Sequence, residues 1–130
     1  MKPHIEVAAG IIFRDDLLLI SQRNQDSHLA GYWEFPGGKR KPNETFEACL
    51  KREVLEELNV RVEVGRLFDE LTYEYSEKIV SLKFFLCRHL EGEAQPLECQ
   101  NFRWVPLTEL SSYLFPPADR PVLEKLWAGF

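Results

Sequence analysis

The chain has 130 residues, of which 45% are hydrophobic, and 21 acidic against 16 basic side chains give a net charge of −5. This length fits one domain, residues 1–130, with one ordinary core. The acidic balance argues against a nucleic-acid polymer as partner, because the sequence has no basic stripe. No run approaches the roughly 20 apolar residues of a membrane span, and residues 1–6 do not resemble a secretory signal.

Apolar runs along the chain predict a mixed sheet with helices packed on it, an α+β fold. A hairpin is expected from strands 5–13 and 17–22, followed by a short strand at 32–35 and a tight exposed turn at 35–38. Residues 60–75 predict one long or bent strand with 79–88 as its hairpin partner, and 102–105 predicts a further strand. Helices are expected at 44–58, at 107–113 and at 121–126, the last beginning at a proline.

The first predicted helix carries apolar residues at every fourth position: Phe46, Leu50, Val54 and Leu58. Asn43 or Thr45 can cap its start, since either side chain can accept a hydrogen bond from an early backbone NH. Asn59 stands where a left-handed residue commonly ends a helix.

Three glutamates, Glu53, Glu56 and Glu57, project from one face of this helix. Like charges one turn apart cost roughly 0.2–0.5 kcal/mol each, and the C-terminal half of a helix disfavours anions. A divalent cation would offset both effects, and carboxylates suit Mg²⁺ or Mn²⁺. Arg52, one turn before Glu56, can hold that carboxylate. Taken alone, the three glutamates favour a solvated acidic face, because charge runs usually lie on the surface.

The residues before the helix favour a ligand site. Gly37 and Gly38 follow Phe35 and Pro36, and glycines let the backbone approach a metal ion or a phosphate closely. Lys39 comes directly after them.

Together these residues follow the pattern Gly-x5-Glu-x7-Arg-Glu-U-x-Glu-Glu-x-Gly-U, where U is a bulky aliphatic residue. The chain therefore resembles the Nudix hydrolase family, with its loop-helix-loop motif at residues 38–60. Asn59 replaces the second glycine of the pattern and tolerates the same backbone region. The matching positions are Gly38, Glu44, Arg52, Glu53, Val54, Glu56, Glu57 and Val60.

Flanking stretches resemble the MutT-like branch of this family, which hydrolyses 8-oxo-dGTP. They are residues 9–12, 33–39, 91–93 and 115–118. The resemblance implies attack of water on the β-phosphorus of a nucleoside triphosphate, with Mg²⁺, or Mn²⁺ in its place, as the cofactor. The metal ligands that it implies are the Gly37 carbonyl and the carboxylates of Glu53, Glu56, Glu57 and Glu98.

The resemblance also assigns catalytic and supporting roles. Glu53 or Glu98 is the general base, and the sequence leaves that choice open. Lys39 neutralises charge on the departing phosphate group. Glu44 supports the site together with Gly38 and Arg52. Without the resemblance, Glu98 is equally a loop carboxylate and Lys39 a solvent-facing side chain.

The positions that read the base in this branch are occupied here by Arg23, Phe35 and Asp119, with Lys78 at the rim. Asp119 replaces an asparagine. An ionised aspartate only accepts hydrogen bonds, so it suits the N7–H of 8-oxoguanine and equally the amine of cytosine. Alternatively, Asp119 caps the last helix, Arg23 is a surface residue and Phe35 a core residue.

Two other functions therefore remain open. One is hydrolysis of CTP or a modified dCTP. The other is a non-catalytic domain that senses an oxidised base, although such domains lose glutamates of the motif. We expect a monomeric cytoplasmic protein that acts on a small nucleotide. Its three cysteines, which lack CxxC spacing, are expected to be reduced and buried.

Overall fold

The computed structural model describes residues 1–26 and 29–129 of the chain. In chain order the strands and helices are β1 (His4–Arg14), β2 (Leu17–Gln22), β3 (Trp33–Glu34), β4 (Gly37–Lys39), α1 (Phe46–Leu58), β5 (Arg61–Glu74), β6 (Ile79–Glu91), β7 (Asn101–Pro106) and α2 (Arg120–Ala128). Two 3₁₀ turns, Leu107–Ser112 and Pro117–Asp119, lie between β7 and α2.

Within the described residues, seven strands form one mixed sheet. Its central path runs β3-β2-β1-β6-β5, while β4 pairs with β1 and β7 pairs with β2. Strands β1 and β6 are parallel, and the other pairs are antiparallel. The parallel pair requires a crossover, which α1 and β5 supply.

The sheet is covered on both faces, because its central strand sends alternate side chains to opposite sides. Ala8 and Ile12 of β1 belong to the core beneath α1, and Ala9 and Ile11 belong to the core beneath α2. The predicted α+β fold with a mixed sheet between helices is confirmed.

Most predicted elements are confirmed with small shifts of their ends. The first helix begins at Phe46, two residues later than expected, and the last helix runs from Arg120 to Ala128 rather than 121–126. The segment after β7 is a 3₁₀ turn. Strand β5 is bent, because its pairing with β6 shifts register at three points between Arg61 and Asp69.

One prediction was wrong. The glycine segment is not an exposed turn, since Phe35 is 4% exposed and Pro36 is also buried. Gly37–Lys39 is a strand, β4, paired antiparallel with Val7–Ala9 of β1. The sequence signal failed here because two adjacent glycines indicate a turn in isolation, whereas pairing with a neighbouring strand is a tertiary effect.

No helix in the described part of the chain is long and apolar enough to cross a membrane. The three cysteines are free and buried, as expected. Burial raises the pKa of the Cys49 thiol to about 11 and those of Cys87 and Cys99 to about 12.

Candidate active site

The acidic helix α1 is fixed at both ends by its own sequence. Thr45, not Asn43, is the N-cap, and its hydroxyl accepts a hydrogen bond from the Ala48 backbone NH at 3.0 Å. Asn59 ends the helix in the left-handed conformation with φ 62°, and its NH donates to the Leu55 carbonyl. The two caps therefore define where α1 begins and ends.

Two glycines of β4 are in close contact with neighbouring elements, Gly38 with α1 and Gly37 with β1. A Cβ at Gly38 would lie 2.3–2.6 Å from the carboxyl atoms of Glu53. At Gly37, a Cβ would lie 1.9 Å from the carbonyl oxygen of Ala8 on the neighbouring strand. The Glu53 carboxyl group therefore rests directly on the backbone of β4.

Arg52 forms hydrogen bonds with three glutamate side chains of the site. It binds Glu44 through two bonds, Nη2–Oε1 at 2.6 Å and Nε–Oε2 at 3.1 Å. Its Nη1 also donates to Glu53 at 3.0 Å and to Glu56 at 3.2 Å, and its Nη2 donates to the Lys39 carbonyl at 3.2 Å. Hydrogen bonds from Arg52 lower the pKa of Glu44 to about 2. Glu44 thus buttresses Arg52, which in turn joins α1 to β4.

The three glutamates of α1 do not share one environment. Glu56 is exposed, whereas Glu57 is 8% exposed and lies against the sheet. Its Oε2 accepts from the Ser21 hydroxyl and its Oε1 from the Gly37 NH, both at 3.4 Å. Burial, and next the charge of Glu34, raise the pKa of Glu57 to about 8.

The pKa of Glu53 is set by its burial and by the charges around it. Burial raises the pKa of Glu53, the charges of Glu56 and Glu98 raise it further, and Arg52 opposes them. Glu98 lies in the loop before β7, where its NH donates to the Glu57 carbonyl at 3.2 Å and its carbonyl accepts from Asn24 at 3.0 Å. The loop thus brings the backbone of Glu98 to the C-terminal end of α1.

A cleft of about 400 Å³ lies over the sheet and borders Gly38, the glycine against which the Glu53 carboxyl group rests. It is lined at one end by Gly37, Gly38 and Lys39. Its remaining walls include Arg23, Glu34, Phe35, Tyr73 and Asp119. This volume lies in the range of small-molecule sites, which combine apolar walls with a few polar groups.

Three of the four predicted base-reading residues line the cleft. Phe35 packs against Phe84 and Phe115, with ring centroids 6.0 and 5.2 Å apart. Arg23 forms an ion pair with Glu34 at 2.9 Å. Lys78 is not among the lining residues; its ammonium lies 5.7 Å from the ring of Tyr75, which does line the cleft.

Asp119 is the third of these residues and is 8% exposed. Although it occupies the N-cap position of α2, its side chain makes no capping hydrogen bond. Burial, and next the charge of Glu34, raise its pKa to about 6. The interpretation of Asp119 as a helix cap is therefore wrong, and its carboxyl group is available to the cleft.

The donor set fits a hard divalent cation, although among the described residues no three acidic, cysteine or histidine side chains converge closely enough to hold one. Burial raises the pKa values of Glu53 and Glu57, and neighbouring carboxylates raise them further. A cation would relieve this mutual repulsion. Carboxylate and carbonyl oxygens are the ligands that Mg²⁺ and Mn²⁺ prefer.

Comparison with known proteins decides the family. A family model described as NUDIX domain matches residues 7–125. The chain belongs to the Nudix family. The predicted Nudix motif at 38–60 lies inside the matched region, and the left-handed Asn59 adopts the backbone conformation expected of the glycine that it replaces.

Two curated Nudix relatives from Escherichia coli K12 align along almost the whole chain. One, named 8-oxo-dGTP diphosphatase, is 37% identical over 123 residues, which cover 94% of this chain and 95% of that protein. The other, named CTP pyrophosphohydrolase, is 39% identical over 124 residues, which cover 95% and 92%. The solution structure of the E. coli ORF135 protein is similar with a TM-score of 0.86 at 38% identity, covering 98% of this chain and 91% of that one.

Sequence reasoning missed three residues of the site, of which Glu34 and Tyr73 line the cleft and Ser21 binds Glu57. Glu34 stood in a stretch quoted for the resemblance but received no role, and Ser21 was seen only as part of a strand. Tyr73 lies on β5 two residues after Leu71, so both side chains lie on one face of the strand, and this period of two was the available signal. Each acts through a contact distant in sequence, which local patterns do not encode.

Proposed function

We propose that this protein is a nucleoside triphosphate pyrophosphohydrolase that converts 8-oxo-dGTP to 8-oxo-dGMP and pyrophosphate. The observation that carries the proposal is one continuous cleft. It extends from Phe35 and Asp119, which suit a purine base, to Gly38 and Lys39, on which Glu53 rests. Similarity to 8-oxo-dGTP diphosphatases supports the same substrate. The cellular role would be removal of an oxidised nucleotide from the pool, which avoids mutations.

A divalent cation is the cofactor of this proposal, with Mg²⁺ preferred and Mn²⁺ able to replace it. The residues that would hold it are the Gly37 carbonyl and the carboxylates of Glu53, Glu56, Glu57 and Glu98. Such an ion neutralises phosphate charge and lowers the pKa of bound water.

The side chains around the phosphates have separate tasks. Water attacks the β-phosphorus, and Glu53 or Glu98 accepts its proton. Burial raises the pKa of Glu53 and so strengthens it as a base, while Arg52 holds its carboxyl group at 3.0 Å. Lys39 neutralises charge on the nucleoside monophosphate as it leaves.

Asp119 reads the base in this proposal. With a pKa of about 6, its carboxyl group is mainly ionised at pH 7.5 and acts only as an acceptor. It therefore accepts the N7–H that 8-oxoguanine has and guanine lacks. Phe35 packs against the base and Arg23 lies in the cleft wall, whereas Lys78 lies outside the lining, next to Tyr75.

Hydrolysis of CTP or a modified dCTP is the second candidate function. It rests on the identity of Asp119, since the same acceptor suits the exocyclic amine of cytosine. Glu34 adds a second carboxyl group to the cleft wall. The 39% identity to a CTP pyrophosphohydrolase favours the same candidate.

A substrate panel tests the proposal. Pyrophosphate release with Mg²⁺ is measured from low micromolar 8-oxo-dGTP, dGTP, CTP, 5-methyl-dCTP and 2-hydroxy-dATP. We expect 8-oxo-dGTP to exceed the others by orders of magnitude in kcat/KM. Preference for a cytosine nucleotide would replace the first candidate by the second.

Two variants separate catalysis from mere base sensing. Glu53→Gln is expected to abolish hydrolysis. Glu63→Gln is the matched control, because Glu63 is exposed on β5 and pairs with Arg88. Full turnover by Glu53→Gln would overturn the catalytic assignment of Glu53. Absence of turnover by the parent protein on every nucleotide of the panel would leave a non-catalytic sensing domain as the better hypothesis.

A further inference from the structure

The residue proposed to read the base has no side-chain support of its own. The Asp119 side chain is buried, yet among the described residues no hydrogen bond reaches its carboxyl oxygens. The direction of this carboxyl group is therefore set by the backbone of the short 3₁₀ turn Pro117–Asp119. Anything that fixes that turn also fixes Asp119.

Tyr73 provides a link from the opposite side of the cleft. Its hydroxyl group donates to the Ala118 carbonyl at 3.0 Å, a contact between residues 45 positions apart. Tyr73 lies on β5, where it pairs with Val80 of β6, so its backbone belongs to the central sheet. The bond thus joins a paired strand of the sheet to the turn that carries Asp119.

Among the described residues, the other hydrogen bonds of this turn are local. The Asp119 NH donates to Pro116 at 3.0 Å, and the Arg120 NH donates to Pro117, so both of these bonds are internal to the segment. The bond from the Trp33 NH to the Leu114 carbonyl, at 2.8 Å, lies five residues before Asp119. Tyr73 contacts the residue directly before it.

We propose that Tyr73 is a positioning residue that sets the base specificity of the cleft by holding the backbone of Ala118 and thereby aiming the Asp119 carboxyl group. This inference rests on the proposed function, in which Asp119 reads the base. Tyr73 itself need not contact the reacting phosphates.

Tyr73→Phe tests the inference, because it removes only the hydroxyl group and keeps the ring. Discrimination is measured as the ratio of kcat/KM between the preferred and the poorest nucleotide of the panel. We expect this ratio to fall about threefold to tenfold, the factor that corresponds to one net hydrogen bond. The change should lie in KM, with kcat within about twofold of the parent protein. Tyr113→Phe, outside the cleft beside Trp33, is the matched control and should match the parent protein.

A double-mutant cycle separates positioning from direct contact. If Tyr73 acts through Asp119, the double variant with Tyr73→Phe and Asp119→Ala should discriminate no worse than Asp119→Ala alone. An additive loss would mean that Tyr73 contacts the nucleotide directly and would overturn the inference. The inference would also be overturned if Asp119→Ala lost discrimination while Tyr73→Phe discriminated as well as the parent protein. Full discrimination by Asp119→Ala would instead overturn base reading by Asp119, and the inference with it.

Hydrogen exchange gives a readout that does not depend on activity. In Tyr73→Phe, the amides of Asp119 and Arg120 should exchange faster than in the parent protein and in Tyr113→Phe, because the turn has lost its link to the sheet. Unchanged exchange at both amides would also overturn the inference.

Discussion

Glu57→Gln should stabilise the metal-free protein at high pH, since it removes a charge from a buried position. Glutamine can keep both contacts of Glu57: its carbonyl oxygen accepts from the Gly37 NH, and its amide nitrogen donates to the Ser21 hydroxyl. The substitution therefore changes ionisation and little else. Its effect isolates the energetic cost of the Glu57 carboxylate.

The direction and size of this change in stability follow from the raised pKa of Glu57, which is about 8 against the usual 4.5. Between these values the folded protein keeps a proton that the unfolded chain has released, so raising the pH favours unfolding. At about 1.4 kcal/mol per pKa unit, this loss amounts to roughly 4 kcal/mol between pH 5 and 9. Glu57→Gln does not undergo this loss. The difference in free energy of unfolding between Glu57→Gln and the parent protein should therefore grow by that amount between pH 5 and 9.

Urea unfolding followed by tryptophan fluorescence measures the free energy of unfolding at pH 5, 7 and 9 in EDTA and a thiol reductant. The other titrating groups, Glu34, Glu53 and Asp119, are present in both proteins and largely cancel in the difference. Glu56→Gln is the control, because Glu56 is exposed and its substitution should leave the pH dependence unchanged. Saturating Mg²⁺ or Mn²⁺ should raise the free energy of unfolding of the parent protein at pH 9, and should raise that of Glu57→Gln much less.

A difference between Glu57→Gln and the parent protein that stays constant from pH 5 to 9 would refute the reasoning. It would mean that the Glu57 carboxyl group ionises as freely in the folded protein as in the unfolded chain. Equal stabilisation of both proteins by the cation would refute its proposed place among the ligands.

Three further substitutions test the contacts that hold α1 and β4 in place around the site. Arg52→Lys keeps the charge but loses the two-pronged bond to Glu44, so the free energy of unfolding, measured in urea, should fall by about 1–3 kcal/mol. Gly38→Ala forces the Glu53 carboxyl group off β4, and kcat from steady-state kinetics should fall at least about tenfold. Thr45→Ala removes the N-cap, and urea unfolding should show a loss of about 1 kcal/mol with kcat unchanged.

Each of these variants has a matched control. Arg61→Lys alters an exposed ion pair with Glu91 and should change stability by less than about 0.5 kcal/mol. Gly31→Ala has open space around its new methyl group and only a positive φ of 81° against it, so it should leave kcat intact. Thr108→Ala lies on an exposed turn and lacks a capping role. If a control variant lost as much stability or kcat as its test variant, the role assigned to the corresponding contact would be wrong.

Much of the site was predictable from sequence because its determinants are local. Residues three and four apart on a helix share a face, so the spacing of Arg52, Glu53, Glu56 and Glu57 was sufficient to predict their neighbourhood. The left-handed end of α1 at Asn59 followed from the same kind of local chemistry.

What the sequence alone could not decide was the environment of each group. Glu56 and Glu57 are adjacent in sequence, yet one is exposed and the other is buried against the sheet. That difference depends on Ser21 and Gly37, which lie on other strands.

The sequence by itself therefore determined the elements, the family and the composition of the acidic cluster, because short-range periodicity and motif spacing encode them. Only the tertiary structure decided that the glycine segment is a paired strand and that Asp119 faces a cleft without capping its helix. Only the tertiary structure, too, brought Tyr73 to Ala118. These features arise from contacts between residues far apart in the chain, and their energies depend on burial that no local pattern specifies.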